Sequence, residues 1–334
     1  MQQVQLRQPR RAEAAVMSPS PVEPPWDRMD AYLAAFAEGF RRRDQVRWAC
    51  VYLQGLLSDA ERKNVGTMAR HVVLPPDLVV DDTAQALQNF VNQSPWNEVP
   101  VWRRLRALFR DELADRDGVF IVDELAFCKQ GRHSVGVQRQ YSSLFGRKTN
   151  CQVAVGLWHA SRHGLFPLAL RLYLPRAWVQ SPARLDATVV PLEHRPPRDK
   201  SQIALDLLDE VRAEGWNATA VLGVAGSARD HSFRVGAAER GLTYLVEWTP
   251  ELLAVDSEQI VALGDTVRVA SNRVEEPRLP IWWSHRERLP AFRGVLLQEL
   301  GLDHFEGRSW RGFHHHACLV ALAYGFRLHE SPDR

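Results

Sequence analysis

The chain has 334 residues, of which 45% are hydrophobic and 25% are charged, and its net charge is only +2. This composition is ordinary for a globular protein that buries a sizeable core. A charge so close to zero excludes any argument for a nucleic-acid partner from the charge of the whole protein, so such an argument depends on local basic patches.

Signals for export, membrane insertion or a disulfide framework are missing from the sequence. The four cysteines, at positions 50, 128, 151 and 318, form no CxxC pair. The N-terminal residues lack the apolar segment of a secretory signal, and no apolar run reaches the roughly 20 residues that a membrane span requires. We therefore expect a soluble cytoplasmic protein without a membrane partner.

The chain starts with an arm and a helical module. Residues 1–25 are rich in Gln, Arg, Pro and Ser, which is typical of a flexible arm. Beyond this arm, apolar side chains such as Met29, Tyr32 and Phe36 recur every three or four residues, a spacing that predicts helices. We expect a helical module over 27–115, which is either a DNA-binding unit or a cap packed on the core.

A short apolar run that ends in two acids organises the rest of the chain. Residues 119–122 have no helical period and precede Asp123 and Glu124, and a second apolar run occupies 151–157. The pattern predicts a buried strand, an acidic tip, a basic loop and a second strand. Such strand ends face the crevice where α/β proteins bind ligands. Asp123 and Glu124 are therefore candidate catalytic residues, although a solvated turn would use the same residues.

Downstream patterns predict the remainder of an α/β fold. Alternating apolar residues at 168–174 predict a half-buried strand. Four further segments have the spacing of parallel crossover units. They are a helix at 200–214, a strand at 219–224, a helix at 232–240 and a strand at 243–248. We interpret residues 249–283 as an irregular insertion with short β-like pieces, followed by helical segments at 291–300 and 315–327.

Three segments of the chain carry a family resemblance. They are WACVYLQGLLSDAERKNVGTMA, KQGRHSVGVQRQYSSLFGRKTNCQVAVGL and LGLDHFEGRSWRGFHHH. In this order they resemble transposases of the IS701 group, within the wider IS4-like DDE transposases, over about Met29 to Phe326. The resemblance implies an α/β (α+β) fold, with an RNase H-like mixed sheet flanked by helices over 116–327, an N-terminal all-helical module and a tail at 328–334. It also implies DNA as a partner, and a homodimer is a further expected assembly.

The acids that such transposases use are only partly present. The family holds two divalent ions with three acidic residues, and the resemblance places the first at Asp123. It aligns Val224 with the second acid and Pro290 with the third, and neither side chain offers a metal-binding oxygen. We therefore expect a DNA-binding protein with no cofactor and no two-metal cleavage. Because proline fits best in the first turn of a helix, this helix should begin near Leu289.

Two alternatives stay open from the sequence. An active transposase would need Mg²⁺ or Mn²⁺ and an acid set displaced from the expected positions. The acids that could complete this set are Asp230, Glu287, Glu299 and Glu306. The other alternative is a recruited enzyme or interaction scaffold on the same fold, which a closed, apolar pocket around Val224 would favour.

Basic residues in several segments are the candidate DNA contacts, with the basic loop after the first strand expected to overhang the crevice. Lysine and arginine neutralise phosphates without reading the base sequence, but the same residues also occur on ordinary solvated surfaces. The candidates are Arg41, Arg42, Arg43, Lys129, Arg132, Arg139, Arg147, Lys148, Arg308 and Arg311.

Three consecutive histidines, His314, His315 and His316, suggest a metal site at first sight. On a helix, however, successive side chains point about 100° apart and cannot converge on one ion. We predict a polar cluster near the start of a helix instead.

Overall fold

A computed structural model describes the chain over residues 26–115, 117–142, 145–252, 255, 258–263, 267–273 and 275–330. The predicted arm at 1–25 and the last four residues of the predicted tail lie outside these ranges. Within them, a mixed β-sheet is combined with the helices that flank it.

Five helices form the N-terminal part of the fold. They are α1 (Trp26–Ala34), α2 (Arg43–Leu57), α3 (Val65–Met68), α4 (Thr83–Asn92) and α5 (Glu98–Leu113). The side chains of Asn64, Asp82 and Asn97 cap the first turns of α3, α4 and α5 by accepting from backbone N–H groups. The periodic apolar residues predicted to form one helix face, such as Phe36, are buried.

Within the described residues, eight strands form one sheet. They are β1 (Val119–Cys128), β2 (Gln138–Ser142), β3 (Arg147–Ser161), β4 (Gly164–Leu172), β5 (Ala220–Gly223), β6 (Thr243–Glu247), β7 (Gln259–Leu263) and β8 (Val267–Ser271). The central strand β1 is antiparallel to β3 and parallel to β5, and β5 is parallel to β6. The strand order is β2-β3-β1-β5-β6-β8-β7, and β4 also pairs with β3.

The remaining helices connect and cover these strands. They are α6 (Arg176–Val179), α7 (Pro182–Ala187), α8 (Lys200–Ala213), α9 (His231–Glu239), α10 (Leu279–Ser284), α11 (Leu289–Gly294) and α12 (Trp310–His329). α8 and α9 are the crossovers before and after β5. α11 begins at Leu289 with Pro290 in its first turn, as predicted. None of the described helices combines the length and apolarity needed to cross a bilayer.

The predicted RNase H-like mixed sheet flanked by helices is confirmed, because an antiparallel opening (β1, β3, β4) is followed by parallel crossover units (β5, β6). Two local predictions need correction. The long loop expected between the first two strands contains β2. In the insertion at 249–283, one of the expected β-like pieces is strand β8, whereas β7 was not predicted, and the two strands extend the sheet beyond β6. Both corrections involve pairing between strands, which periodicity within one segment does not show.

The N-terminal helices share their core with the rest of the protein. α12 packs against α2, α4 and α5, and buried apolar side chains from Met29 to Phe326 form one continuous core. Arg106 on α5 is 5% exposed and donates to Glu214 at 2.7 Å and to the carbonyl of Leu168 at 2.7 Å. These contacts favour the interpretation of the helical module as a cap packed on the core.

The consecutive histidines are buried in α12 and have separate partners. Nδ1 of His314 donates to the carbonyl of Trp310 at 2.9 Å. Nε2 of His316 donates to the carbonyl of Gly301, and its Nδ1 accepts from the hydroxyl of Tyr52, both at 2.9 Å. Burial lowers the pKa of His314 to about 3 and that of His316 to about 4. His314 and His316 therefore act as neutral links inside the protein. The ring of His315 contacts the carbonyls of Val91 and Trp96, so the three side chains do not converge on one point.

Buried histidines should make the fold sensitive to acid. His159 on β3 is 1% exposed, and neither of its ring nitrogens has a hydrogen-bond partner among the described residues. Burial lowers the pKa of His159 to about 4. Since an unfolded histidine titrates near about 6.5, the stability that depends on the neutral ring is complete above that pH and is lost as the pH falls towards the folded value.

Replacing His159 with Phe should therefore reduce the pH dependence of stability. We expect the loss of unfolding free energy between pH 7 and pH 5 to be about 2 kcal/mol smaller than in the wild type, as measured by urea denaturation. The exposed His71 provides a control, because His71→Gln should lose as much stability as the wild type over this interval. An unchanged loss in His159→Phe would contradict the prediction.

Candidate active-site cleft

Asp123 lies beside the carboxyl end of the short parallel strand β5. The β1–β5 pairing ends with Val122 opposite Gly223, whereas the β1–β3 pairing continues to Cys128. Asp123 is therefore in mid-strand and not at the strand tip that was predicted, because β3 covers β1 along its whole length. Its position beside β5 is nevertheless the place where open α/β sheets bind ligands.

Both carboxylate oxygens of Asp123 are already held by donors. The side chain is 1% exposed, and Nε of Arg293 donates to Oδ2 at 2.8 Å while Nη2 of Arg293 donates to Oδ1. The indole Nε1 of Trp158 donates to Oδ2 at 3.1 Å, and the backbone N–H of Glu124 donates to Oδ1 at 2.7 Å. A bidentate guanidinium–carboxylate pair is among the strongest polar contacts in proteins. A cation provided by the chain itself therefore faces Asp123.

Local features of β3 and α11 bring these donors into place. Asp123 is paired with Gly156, and a Cβ atom at this glycine would lie 2.2 Å from the ring of Trp158, so the indole can fold over the strand only because residue 156 has no side chain. The β3–β4 register also shifts at Trp158, and such irregularities change the direction of a side chain. Phe292 of α11 packs edge-on against Trp158 with ring centres 5.5 Å apart. Sequence analysis missed Gly156, Trp158 and Arg293.

The positions aligned with the second and third acids lie in the same cleft as Arg293. Val224, Pro290 and Arg293 all line a cleft of about 490 Å³. The backbone N–H of Val224 donates to the carbonyl of Val122 at 3.2 Å, which places Val224 next to Asp123. The structure thus brings positions 123, 224 and 290 together, as the family resemblance requires, with hydrocarbon side chains at two of them.

Two further acids near the cleft are each paired with a cation. Glu124 accepts from the backbone N–H of Ser227 at 3.0 Å and forms an ion pair with Lys200. Burial raises the pKa of Glu124, but Lys200 and Ser227 outweigh this effect, so the pKa lies below the ordinary value of a glutamate. Glu247, which sequence analysis missed, lines the cleft at the end of β6 and pairs with Arg229. The sequence pattern that predicts such a residue is an acid at the end of a buried strand, which is the position of Glu247 in β6.

Part of the predicted basic loop is a two-stranded ribbon formed by β2 and the start of β3. Arg139 is opposite Asn150 and Tyr141 is opposite Lys148, so these four side chains share one face of the ribbon. Arg139 and Lys148 are exposed, and the Tyr141 side chain is 61% exposed between them. Arg147 is opposite Ser142 and therefore points to the other face.

The other basic candidates are distributed over the surface. Residues 41–43 are exposed at the start of α2, and Arg132 is exposed in the segment before β2. Lys129 donates to the carbonyl of Phe305, and burial lowers its pKa. Together with Arg308 it lines a depression separate from the cleft that contains Val224. Arg311 is partly buried and donates to the carbonyl of Gln93 at 3.4 Å.

Comparisons with known proteins agree with this arrangement. The family model described as "DDE superfamily endonuclease" matches residues 35–260, which is well over half of the chain. The chain belongs to this family. It is also similar to the probable transposase for insertion sequence element IS701 of Microchaete diplosiphon, with 30% identity over 169 residues. That region covers 50% of this chain and 39% of the relative, so it spans well under half of the relative's length.

These matches confirm the predicted resemblance to IS701-type DDE transposases. The matched range includes Asp123 and Val224 but ends before α11, so the alignment of Pro290 with the third acid rests on the family resemblance and on its place in the cleft. DDE endonucleases normally use divalent metal ions. Whether this chain can hold such ions depends on the side chains at positions 123, 224 and 290.

The residues of the cleft do not fit a site for two divalent ions. Such ions require several oxygen ligands, whereas Val224 and Pro290 provide none and the oxygens of Asp123 face Arg293. Glu247 is two strands away from Asp123, which corresponds to about 10 Å between backbones, and its carboxylate is paired with Arg229. In the described part of the chain, no group of three or more His, Cys, Asp and Glu side chains could hold a metal ion.

The acids considered as replacements also lie away from the cleft lining. Asp230 accepts from the hydroxyl of Ser201 at 3.0 Å, and Glu299 pairs with Arg327. Glu306 is exposed near Arg62, and Glu287 is exposed in the turn before α11. A displaced acid set built from these four residues is therefore not assembled around Asp123.

Removing Arg293 should strongly destabilise the protein. Arg293→Met leaves the buried carboxylate of Asp123 without its charge partner, and such losses cost about 3–5 kcal/mol. Urea denaturation at neutral pH measures the effect. Arg327→Met is the matched control, because this arginine forms an exposed pair with Glu299 and its loss should cost below about 1 kcal/mol.

A second substitution tests whether the loss of stability comes from the unpaired charge of Asp123. Asp123→Asn in the Arg293→Met background should recover much of the lost stability, since a neutral amide has no unpaired buried charge. If the double variant is as unstable as Arg293→Met, the loss comes from packing and not from the carboxylate.

Proposed function

We propose that this protein is a DNA-binding relative of the IS701-type DDE transposases that does not cut DNA by the two-metal route. The observation that carries this proposal is the bidentate pairing of Asp123 with Arg293 in the cleft where Val224 and Pro290 replace the other acids. Two-metal phosphoryl transfer requires convergent carboxylates that hold both ions against the attacking and leaving oxygens. The cleft provides a guanidinium where these ions would need ligands.

The ribbon of β2 and β3 supports the DNA-binding part of the proposal. Its exposed face carries Arg139 and Lys148 on either side of Tyr141. Cations on such a face neutralise phosphates, and an exposed aromatic ring among them can stack on a base. A two-stranded ribbon also has dimensions that fit the major groove of DNA.

The proposed setting is a reducing cytoplasm, and a second copy of the chain is a further proposed partner. The four cysteines are free, with Cys128 exposed, which fits a compartment where thiols stay reduced. A recruited small-molecule enzyme is less well supported, because the cleft around Val224 is lined by several arginines and is not the closed, apolar pocket expected for that function.

A cleavage assay tests the proposed loss of activity. Plasmid DNA that carries the ends of an IS701-type insertion sequence element should stay intact when it is incubated with the protein and either Mg²⁺ or Mn²⁺. Neither ion should raise the melting temperature of the protein. Metal-dependent cutting that Asp123→Asn abolishes would defeat the proposal and restore an active transposase.

Binding measurements on double-stranded DNA test the ribbon. Arg139→Gln and Lys148→Gln should each weaken binding and reduce the slope of log affinity against log salt concentration by about 0.9. Arg147→Gln is the matched control on the opposite face of the same ribbon and should leave the slope unchanged. Equal effects of all three substitutions would show that the face defined by Tyr141 is not the contact surface.

A further inference from the structure

We infer that the cleft beside Asp123 binds a phosphate monoester as its dianion. The inference goes beyond the proposed function and does not depend on it, because the ribbon residues take no part in this site. It rests on the charge of the cleft, on its unsatisfied donors and on the match of both to one chemical group.

The cleft has an excess of positive charge. Four arginines line it, namely Arg229, Arg268, Arg286 and Arg293. Arg293 is paired with Asp123 and Arg229 with Glu247. Across the described residues, Arg268 and Arg286 have no acidic partner and contact tryptophan rings instead, Arg268 at 5.9 Å from the ring centre of Trp248 and Arg286 at 4.8 Å from that of Trp283. Among the residues that the structure describes, two positive charges of the cleft are therefore unmatched.

Several buried donors at the cleft also lack an acceptor. Trp283 lines the cleft, is only 6% exposed, and its indole N–H has no partner within the described structure. The Nε atoms of Arg286 and Arg229 are also buried and have no partner among the residues that the structure describes. All three groups can only donate hydrogen bonds. Buried donors are normally satisfied, so three unpartnered donors on residues that line one cleft indicate a ligand that presents several acceptor oxygens.

A phosphate monoester meets both requirements. At neutral pH it carries about −1.5 to −2 charges and three strong acceptor oxygens, which matches the two unmatched arginines and the unsatisfied N–H groups. A phosphodiester carries a single charge and would leave one arginine unmatched. Guanidinium groups bind phosphate oxygens in a bidentate manner, and a cleft of about 490 Å³ has room for the group that the phosphate is attached to.

Isothermal titration calorimetry on the full-length protein tests the inference. The probes are inorganic phosphate, adenosine monophosphate, adenosine, and two single-stranded oligonucleotides that differ only in a 5′-phosphate or a 5′-hydroxyl. The variants are Arg286→Gln and Arg268→Gln, which remove the unmatched charges. Arg273→Gln, outside the cleft lining, is the control, and thermal melting checks that each variant is folded.

Binding of a phosphate monoester that each cleft variant weakens about 10-fold or more, with the control unchanged, would support the site. Binding of inorganic phosphate and adenosine monophosphate but not of adenosine identifies a free phosphate compound as the source. Binding of the 5′-phosphorylated oligonucleotide alone identifies a strand end.

Two results would overturn the inference. One is the absence of binding by all monoester probes, or binding that neither cleft variant changes. The other is equal binding of the two oligonucleotides without binding of adenosine monophosphate, which would mean that only backbone diesters are recognised. Neither result bears on the cleavage assay or on the ribbon variants.

Discussion

The ion pair between Asp123 and Arg293 is the interaction on which the cleft depends. The carboxylate of Asp123 is 1% exposed, and burying a charge is costly unless a charge partner and hydrogen bonds compensate it. Arg293 provides the charge, and the indole of Trp158 provides a further donor. Because the two residues lie on β1 and α11, the pair also joins the middle of the sheet to the helical segment that closes one side of the cleft.

This pair changes the electrostatic character expected of a DDE site. Three convergent acids repel one another and need metal ions to hold them together. Here Asp123 is paired with a cation of the chain itself, and the positions that the family resemblance aligns with the other two acids have hydrocarbon side chains, so repulsion between acids does not arise at these three positions. The surrounding arginines make the cleft basic, and this charge is the basis for the proposed anionic ligand.

The N-terminal helices pack into the same core as the sheet. Arg106 connects α5 to Glu214 and to the carbonyl of Leu168, and α12 packs against three of the N-terminal helices. His316 links α12 to Tyr52 of α2. DNA contacts on this module therefore cannot be assumed from its helical character alone, and the exposed face of the β2–β3 ribbon presents a better defined arrangement of cations around an aromatic ring.

Periodicity and residue type, which are properties of one segment, predicted most strands of the sheet, its crossover helices and Asp123 as a candidate acid. The family resemblance indicated positions 224 and 290, and Pro290 in turn predicted the helix that begins at Leu289. The sequence could not indicate Arg293, which is 170 positions from its partner, or Trp158, whose direction depends on Gly156 and a register shift. It also missed β2 and β7, whose pairing is with other strands. Only the tertiary structure decided which charges meet, because burial and proximity arise when distant segments pack together.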